Sequence, residues 1–358
     1  MTALKLRHGA SVFTILGVVM LIAACSNVPT GETASPAPRV FAVWAVGSGG
    51  TILATRDGAR WTRQRSRTSA ALNAVTFTDA THGWAVGQHG TILHTTDGGA
   101  VWTRQPSGKS GSLCAVTAGD ERHAWAVATT GTIIATSDGG ATWTRQRTWH
   151  GVGVVAITCA DSRHAWAVGD DTILATSDGG AHWRESWDGH AAQSGVSLSE
   201  IAAADTDHLW AVGDRGINYG GAPTYALILA TTNSGASWTR QSSADAMTWE
   251  GVAATDAAHA WAVTNRGMCA ATSNGGVTWE SRPAAGRLTI LTSVAFAGSR
   301  HGWVAGYDFP APRRPLGKGI IMGTFDGGVH WQLQRTLNRD SLYAVAAVVP
   351  RAAASSSP

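Results

Sequence analysis

The stretch HGWAVGQHGTILHTTDGGAVW, residues 82–102, contains the two phrases that decide the fold. The first is a Trp-Ala-Val-Gly run at Trp84, and the second is an Asp-Gly-Gly turn that ends in Trp102. Variants of both phrases recur seven times, which is the signature of a repeat architecture. The first phrase lies at Trp44, Trp84, Trp125, Trp166, Trp210, Trp261 and Trp303. The second ends at Trp61, Trp102, Trp143, Trp183, Trp238, Trp279 and Trp331.

Each unit of about 40 residues predicts four short strands. In the second unit these are Leu72 to Phe77, the run at Trp84, the run from Gly90 to Thr96, and Thr103 to Gln105, all rich in residues that favour strands. Four strands in this length match one blade of a propeller. The sequence therefore predicts an all-β, seven-bladed β-propeller of four-stranded blades.

The two ends of the repeat region predict how the ring closes. The first unit starts at Arg39 with no inner strand before Trp44, whereas residues 342–346 form an inner strand with no unit after it. We predict that this C-terminal strand completes the first blade. Closure in this way leaves no unpaired sheet edge at the seam.

The Asp-Gly-Gly turn has a structural explanation. A carboxylate that follows a strand accepts hydrogen bonds from nearby backbone N–H groups, and glycine adopts the positive φ that such a turn needs. Two units carry Asn in place of Asp, which still permits the turn. The predicted structural turn residues are Asp57, Asp97, Asp138, Asp178, Asn233, Asn274 and Asp326.

This turn matches the Asp-box of the bacterial neuraminidase repeat, and the whole unit resembles the photosystem II assembly and stability factors. The resemblance covers every unit, from about residue 40 to residue 346. It implies a non-catalytic propeller that binds a protein partner, in photosynthesis if the organism is photosynthetic. The matching residues are those that build blades, so the role rests on analogy of fold.

The N-terminus predicts export. Lys5 and Arg7 precede an apolar run from Val12 to Ala24, too short to span a bilayer comfortably, and small residues precede Cys25. We predict a lipoprotein signal peptide at 1–24, a lipidated Cys25 with a flexible tether at 25–39, the propeller at 40–349 and a disordered tail at 350–358. An ordinary signal peptide or an uncleaved anchor is the alternative, and it also exports the domain to a periplasmic, lumenal or cell-surface location.

Composition argues against several function classes. Removing the leader leaves 25 basic and 24 acidic side chains, and this balance lacks the excess of basic residues that nucleic-acid-binding domains carry. The histidines that precede the strand tryptophans are spread around the ring, so we predict local turn contacts, no metal and no cofactor. Cys114 and Cys159 fall on adjacent inner strands, where a disulfide is the less favoured alternative to two free thiols. We predict a monomer.

Departures from the repeat predict the functional surface. Insertions lie between Trp183 and Ile201, from Asn218 to Tyr225, and from Tyr307 to Gly317. Because strands alternate direction, all three emerge on one face. Our hypothesis is that this face binds a protein through aromatic and basic residues. The residues are Trp149, Trp187, Tyr219, Tyr225, Trp249, Tyr307, Arg313, Arg314 and Lys318. The alternative for each tryptophan is that it lies beneath its own loop.

Two other function classes stay open at this level. One is a carbohydrate-binding or cell-envelope module, and the other is a glycoside hydrolase of the sialidase or xyloglucanase kind. A sialidase is disfavoured because the chain lacks Arg-Ile-Pro and has only four tyrosines. We therefore predict that the protein is not an enzyme.

Overall fold

The computed structural model describes residues 41–108, 111–148, 153–189, 195–215, 225–241, 248–308 and 317–349. These residues form seven four-stranded antiparallel sheets, which confirms the predicted propeller. The predicted signal peptide, Cys25, the predicted tether and the predicted tail lie outside the described residues. Among the described residues, no helix has the length and apolar character needed to cross a bilayer.

The strands, in chain order, fill the seven blades as follows. Blade 1 contains β1 (Ala42–Gly47), β2 (Ile52–Thr55) and β3 (Thr62–Gln64). Blade 2 contains β4 (Leu72–Phe77), β5 (Gly83–Gly87), β6 (Thr91–Thr95) and β7 (Thr103–Gln105). Blade 3 contains β8 (Leu113–Ala118), β9 (Ala124–Ala128), β10 (Thr132–Thr136) and β11 (Thr144–Thr148). Blade 4 contains β12 (Val154–Cys159), β13 (Ala165–Gly169), β14 (Thr172–Thr176) and β15 (Arg184–Asp188).

The remaining strands complete the ring. Blade 5 contains β16 (Val196–Ala203), β17 (Leu209–Arg215), β18 (Tyr225–Thr231) and β19 (Thr239–Gln241). Blade 6 contains β20 (Trp249–Ala254), β21 (Ala260–Thr264), β22 (Met268–Thr272) and β23 (Glu280–Pro283). Blade 7 contains β24 (Thr289–Ala297), β25 (His301–Asp308), β26 (Gly319–Thr324) and β27 (Gln332–Leu337). The last strand, β28 (Leu342–Val348), belongs to blade 1, and two 3₁₀ turns lie at Ser48–Gly50 and Gln88–Gly90.

The ring closes through the last strand, as predicted. β28 is the inner strand of blade 1, and its pairing with β1 runs antiparallel from Ala42 opposite Val348 to Val46 opposite Ala344. The strand continues two residues past the predicted end at 346. Blade 1 therefore contains strands from both ends of the repeat region.

The core lies between neighbouring blades and is centred on the repeated tryptophans. All seven tryptophans of the first phrase are at most 2% exposed. Each packs against apolar residues of the adjacent sheet; for example, Trp44 of blade 1 contacts a cluster that contains Leu72 and Phe77 of blade 2. Full burial of a large apolar side chain stabilises a protein by roughly 1.5–3 kcal/mol. The regular spacing of tryptophans therefore accounts for the stacking of the blades.

Backbone hydrogen bonds define two faces of the ring. If the strands of a blade are named A to D from the centre outward, the C-to-D turn bonds to the A-to-B turn, as in Gly98 N–H to the Thr81 carbonyl at 2.8 Å. On the opposite side, the B-to-C turn bonds to the link that enters strand A, as in Gln88 N–H to the Ala71 carbonyl at 2.9 Å. We call the first side the Asp-box face and the second side the insertion face.

The three cysteines of the propeller are free thiols. Cys114 and Cys159 lie on the inner strands of blades 3 and 4, as predicted, but they do not form a disulfide. The thiol of Cys159 is 3.1 Å from the Thr117 hydroxyl, and that of Cys114 is 3.3 Å from the Val127 carbonyl. Burial raises the pKa of each thiol to about 12, which keeps both protonated at neutral pH.

Candidate functional site

The insertion face is uneven because two blades are taller than the others. In blade 1 the B–C pairing reaches Val46 opposite Ile52. In blade 5 it continues to Arg215 opposite Tyr225, and in blade 7 to Tyr307 opposite Gly319. The strands that flank two of the three predicted insertions are therefore longer than those of blade 1, and they raise blades 5 and 7 on the same side of the ring.

Three of the predicted contact residues lie on these taller blades. Tyr225 begins β18 and is 55% exposed. Tyr307 is half-buried and packs edge-to-face on Tyr343, with ring centroids 6.1 Å apart. Lys318 is half-buried, and its carbonyl accepts the Asp308 N–H at 3.0 Å. Tyr307 and Lys318 therefore both lie on blade 7 but, because Tyr307 pairs with Gly319, their side chains point to opposite sides of the sheet, and Tyr225 lies on blade 5.

Of the two described tryptophans of the hypothesis, Trp249 belongs to the core, which corrects its proposed display to a partner, whereas Trp187 is half-buried. Trp249 is completely buried among residues of blades 5 and 6, including Trp210 and Val252. Trp187 pairs with Ile173 on β14 and packs against the cluster between blades 4 and 5. Trp249 is covered by strand residues of two blades and not by its own loop, which was the stated alternative. Trp149, Tyr219, Arg313 and Arg314 lie outside the described residues.

The sequence analysis did not anticipate the composition of the central channel. Each inner strand carries a one-residue bulge, and the extra residue lies in the wall of a channel of about 470 Å³. The seven bulge residues are Asn73, Cys114, Val155, Ser199, Glu250, Thr292 and Tyr343. Such a ring is visible in the sequence only when the seven inner strands are aligned by register.

Acidic groups gather on one side of this channel. Glu200 and Glu250 belong to its wall, on blades 5 and 6. Burial raises the pKa of Glu200 to about 7, although its carboxylate accepts the Ile201 N–H at 3.1 Å. Burial also raises the pKa of Glu250 and of Asp214, and the charge of Asp214 adds to the effect on Glu250. Among the described residues that line the channel there is no lysine or arginine.

On the Asp-box face, the Asp or Asn side chain of each turn accepts hydrogen bonds from groups of the same turn. Asp138 accepts hydrogen bonds from the Thr142 N–H at 2.9 Å and the Thr136 hydroxyl at 2.8 Å. Asn233 accepts the equivalent bonds from Ser237 N–H at 3.0 Å and Thr231 at 2.8 Å. The same pattern recurs at Asp57, Asp97, Asp178, Asn274 and Asp326. The backbone N–H groups of Arg60 and Ala59 hold the pKa of Asp57 down at about 2.

The repeated histidines lie in the A-to-B turns on the same face. In His82, His123, His164, His208 and His259 the Nδ1 atom is 2.8–3.0 Å from the Asp three residues earlier. His301 instead packs between Phe41 and Phe325. In the described part of the chain, no three His, Cys, Asp or Glu side chains come close enough to hold a metal ion.

Comparison with known families identifies the repeat. The model of the family described as photosynthesis system II assembly factor YCF48 matches residues 53–112 and 151–286, which is more than half of the chain. The chain belongs to the YCF48 family. The match covers repeats in blades 1 and 2 and in blades 4 to 6, and it confirms the resemblance drawn from the Trp-Ala-Val-Gly and Asp-box phrases.

Solved structures share the fold of this YCF48-family chain. YCF48 bound to D1 peptide superposes with a TM-score of 0.56 at 17% identity, over 82% of this chain and 85% of that one. YCF48 from Cyanidioschyzon merolae gives 0.59 at 22% identity, over 76% and 94%. The GH74 enzyme of Niastella koreensis gives 0.51 at 13% identity, over 86% and 69%. At these identities the likeness shows the propeller alone. No curated protein matches the chain.

Proposed function

We propose that this protein is a non-catalytic, exported and membrane-anchored propeller that binds a protein partner through its insertion face. Membership of the YCF48 family is the observation that carries the proposal. A YCF48 protein is known bound to a D1 peptide, which supports a polypeptide as the ligand class. The role that fits is assembly or stabilisation of a membrane complex, photosystem II where the organism has one.

The insertion face is the better candidate for the interface because it differs from blade to blade. The Asp-box face repeats one kind of turn in every blade, and the Asp or Asn side chain of each is bonded within its own turn. On the insertion face, Tyr225 presents an exposed aromatic ring, and Tyr307 of blade 7 packs with Tyr343 to form an aromatic pair. Aromatic rings give large contact area at low entropic cost.

Recovery of the partner from membranes tests the interface. The test variant replaces residues 309–317 with Asn-Gly, so that the paired residues Asp308 and Lys318 are joined by a two-residue turn. We expect partner recovery to fall at least about tenfold, which corresponds to the loss of roughly 1.4 kcal/mol. The matched control is Val101→Ser, which alters a half-exposed residue of the Asp-box face and leaves recovery unchanged. Equal recovery from the wild type and the loop variant would remove the insertion face from the proposal.

Metabolic labelling with palmitate tests the anchor separately. We expect wild-type protein to incorporate label and to sediment with membranes, and Cys25→Ser to do neither. Label in the Cys25→Ser variant, or its absence from the wild type, contradicts lipidation at Cys25. The partner experiment keeps its meaning either way, because it depends on the propeller.

A further inference from the structure

Five of the seven blade junctions use the same side chain, a glutamine on the outer strand. At the junction of blades 1 and 2, Gln64 donates Nε2–H to the Gly98 carbonyl at 2.9 Å and accepts the Trp102 indole N–H at 3.0 Å. One planar amide therefore bonds a donor and an acceptor of the next Asp-box. Gln105, Gln146 and Gln241 make the same pair of bonds, with distances of 2.8–3.2 Å. Gln334 accepts the Trp61 indole N–H at 2.9 Å.

At the junction of blades 4 and 5, a serine makes the same pair of bonds. Ser186 donates to the Gly235 carbonyl at 2.6 Å and accepts the Trp238 indole N–H at 3.1 Å. A side chain at this strand position therefore both donates and accepts across five of the seven junctions, and at the junction of blades 7 and 1 Gln334 accepts the indole N–H. A hydrogen bond of this kind contributes about 1 kcal/mol net.

The junction of blades 6 and 7 departs from this pattern. The position is held by Arg282, whose guanidinium pairs with Glu280 at 2.9 Å on the surface. Without an amide beside it, the Trp331 indole N–H bonds to Gly328 of its own turn at 3.1 Å. The Gly327 carbonyl accepts the Trp261 indole N–H at 2.8 Å, whereas its equivalent Gly98 accepts both an indole and an amide.

The space that a glutamine amide fills at other junctions is open at the junction of blades 6 and 7. A Cβ atom placed on Gly99, Gly140, Gly180 or Gly276 would collide with the clasping glutamine, but one placed on Gly328 would meet nothing closer than 3.5 Å. A groove of about 250 Å³ lies at this junction, lined by Arg282, Asp326 and Val329 among others. Val329 is 42% exposed, and Val277, next to the lining residue Thr278, is 82% exposed.

We propose that the groove between blades 6 and 7 binds a primary amide side chain, glutamine or asparagine, presented by a partner polypeptide. The bound amide would donate to the Gly327 carbonyl and accept the Trp331 indole N–H, as the internal glutamines do elsewhere in the ring. The exposed valines at the rim suit the apolar neighbours of such a residue. This site lies on the Asp-box face, so it is separate from the proposed interface on the insertion face.

The test is a titration followed by NMR on the indole N–H signal of Trp331, assigned with the Trp331→Phe variant. The probe is the blocked tripeptide acetyl-Ala-Gln-Ala-N-methylamide, and its control is the same peptide with Met for Gln, which has a similar size and no amide side chain. We expect a saturable shift with the Gln peptide at roughly millimolar affinity. We expect at least tenfold weaker binding of the Met peptide.

Two variants of the chain decide whether the groove is responsible. Arg282→Gln supplies the missing amide internally, so it is expected to abolish the shift. Arg282→Ala leaves the groove open and is expected to retain it. Circular dichroism of both variants serves as the control that the ring is folded. The proposal is overturned if the wild type shows no shift, if the Met peptide binds equally, or if Arg282→Gln binds as well as Arg282→Ala.

Discussion

The two faces of the ring are made by the same strands, yet they are held together in different ways. On the Asp-box face, each turn is closed by its own Asp or Asn, and neighbouring blades are joined by an indole and an amide. On the insertion face, the strands extend by different lengths, and carboxylates are buried at the channel without a lysine or arginine in the described lining. Repetition therefore concentrates stability on one face and leaves the other free to vary.

The largest expected effect concerns Trp249, which the comparison assigns to the core. Trp249→Ala removes a fully buried ring between blades 5 and 6, so we expect a loss of about 3–5 kcal/mol in the free energy of unfolding. Urea denaturation followed by circular dichroism measures it. Tyr225→Ala, on the same face but exposed, is the control, with an expected change within about 0.5 kcal/mol. A Trp249→Ala protein of wild-type stability would contradict this assignment.

The pH dependence of stability distinguishes the channel from the turns. Burial raises the pKa of Glu200 to about 7 from an ordinary value of 4.5, so the folded state holds its proton more strongly than the unfolded state. Its contribution is fully present below pH 4.5 and is lost as pH rises to 7. We expect wild-type stability to fall across this range by at most about 3 kcal/mol.

Glu200→Gln is the matched test of that contribution. The amide cannot ionise, so the fall in stability between pH 4.5 and pH 7 is expected to flatten in the variant. Urea denaturation of both proteins at several pH values measures how the free energy of unfolding changes with pH. An identical slope in both proteins would mean that the Glu200 carboxyl titrates as it does in water.

The architecture was predictable because its signals are local. The spacing of Trp84 and Trp102 gives the blade, and the unpaired strand from Leu342 gives the closure. Trp249 was misjudged because it was considered as part of a link. The register places it opposite Thr264, as Leu72 lies opposite Gly87, so it occupies a regular core position. Aligning Trp-Glu-Gly-Val with Leu-Asn-Ala-Val would have revealed this.

The glutamine bonds between blades and the acidic channel were harder to predict because they join residues of different blades. Gln64 and Trp102 are 38 residues apart, and the repeated glutamine by itself resembles an ordinary strand residue. Glu200 lies in a strand with polar neighbours, and only the closed ring shows that it lines the channel. Such contacts follow from the curvature of the ring, which single-strand patterns do not contain.

The smallest expected effect concerns the carboxylate of one Asp-box. Asp97→Ala removes the acceptor for the Val101 N–H and the Thr95 hydroxyl, so we expect a loss of about 1 kcal/mol, as for other side chains that cap backbone groups. Asp97→Asn is expected to cost less than about 0.5 kcal/mol, because Asn233 and Asn274 make the same bonds in their own turns.

The two substitutions also separate geometry from charge at this turn. The Val101 N–H holds the pKa of Asp97 below its ordinary value of 3.8, so its contribution is present above that pH and is lost as pH falls further. The difference between Asp97→Asn and the wild type should therefore vanish in strong acid, whereas Asp97→Ala remains destabilised against Asp97→Asn at every pH. If Asn proved as costly as Ala at pH 7, charge would be the source of the turn's stability, and blades 5 and 6 would need another explanation for closing theirs.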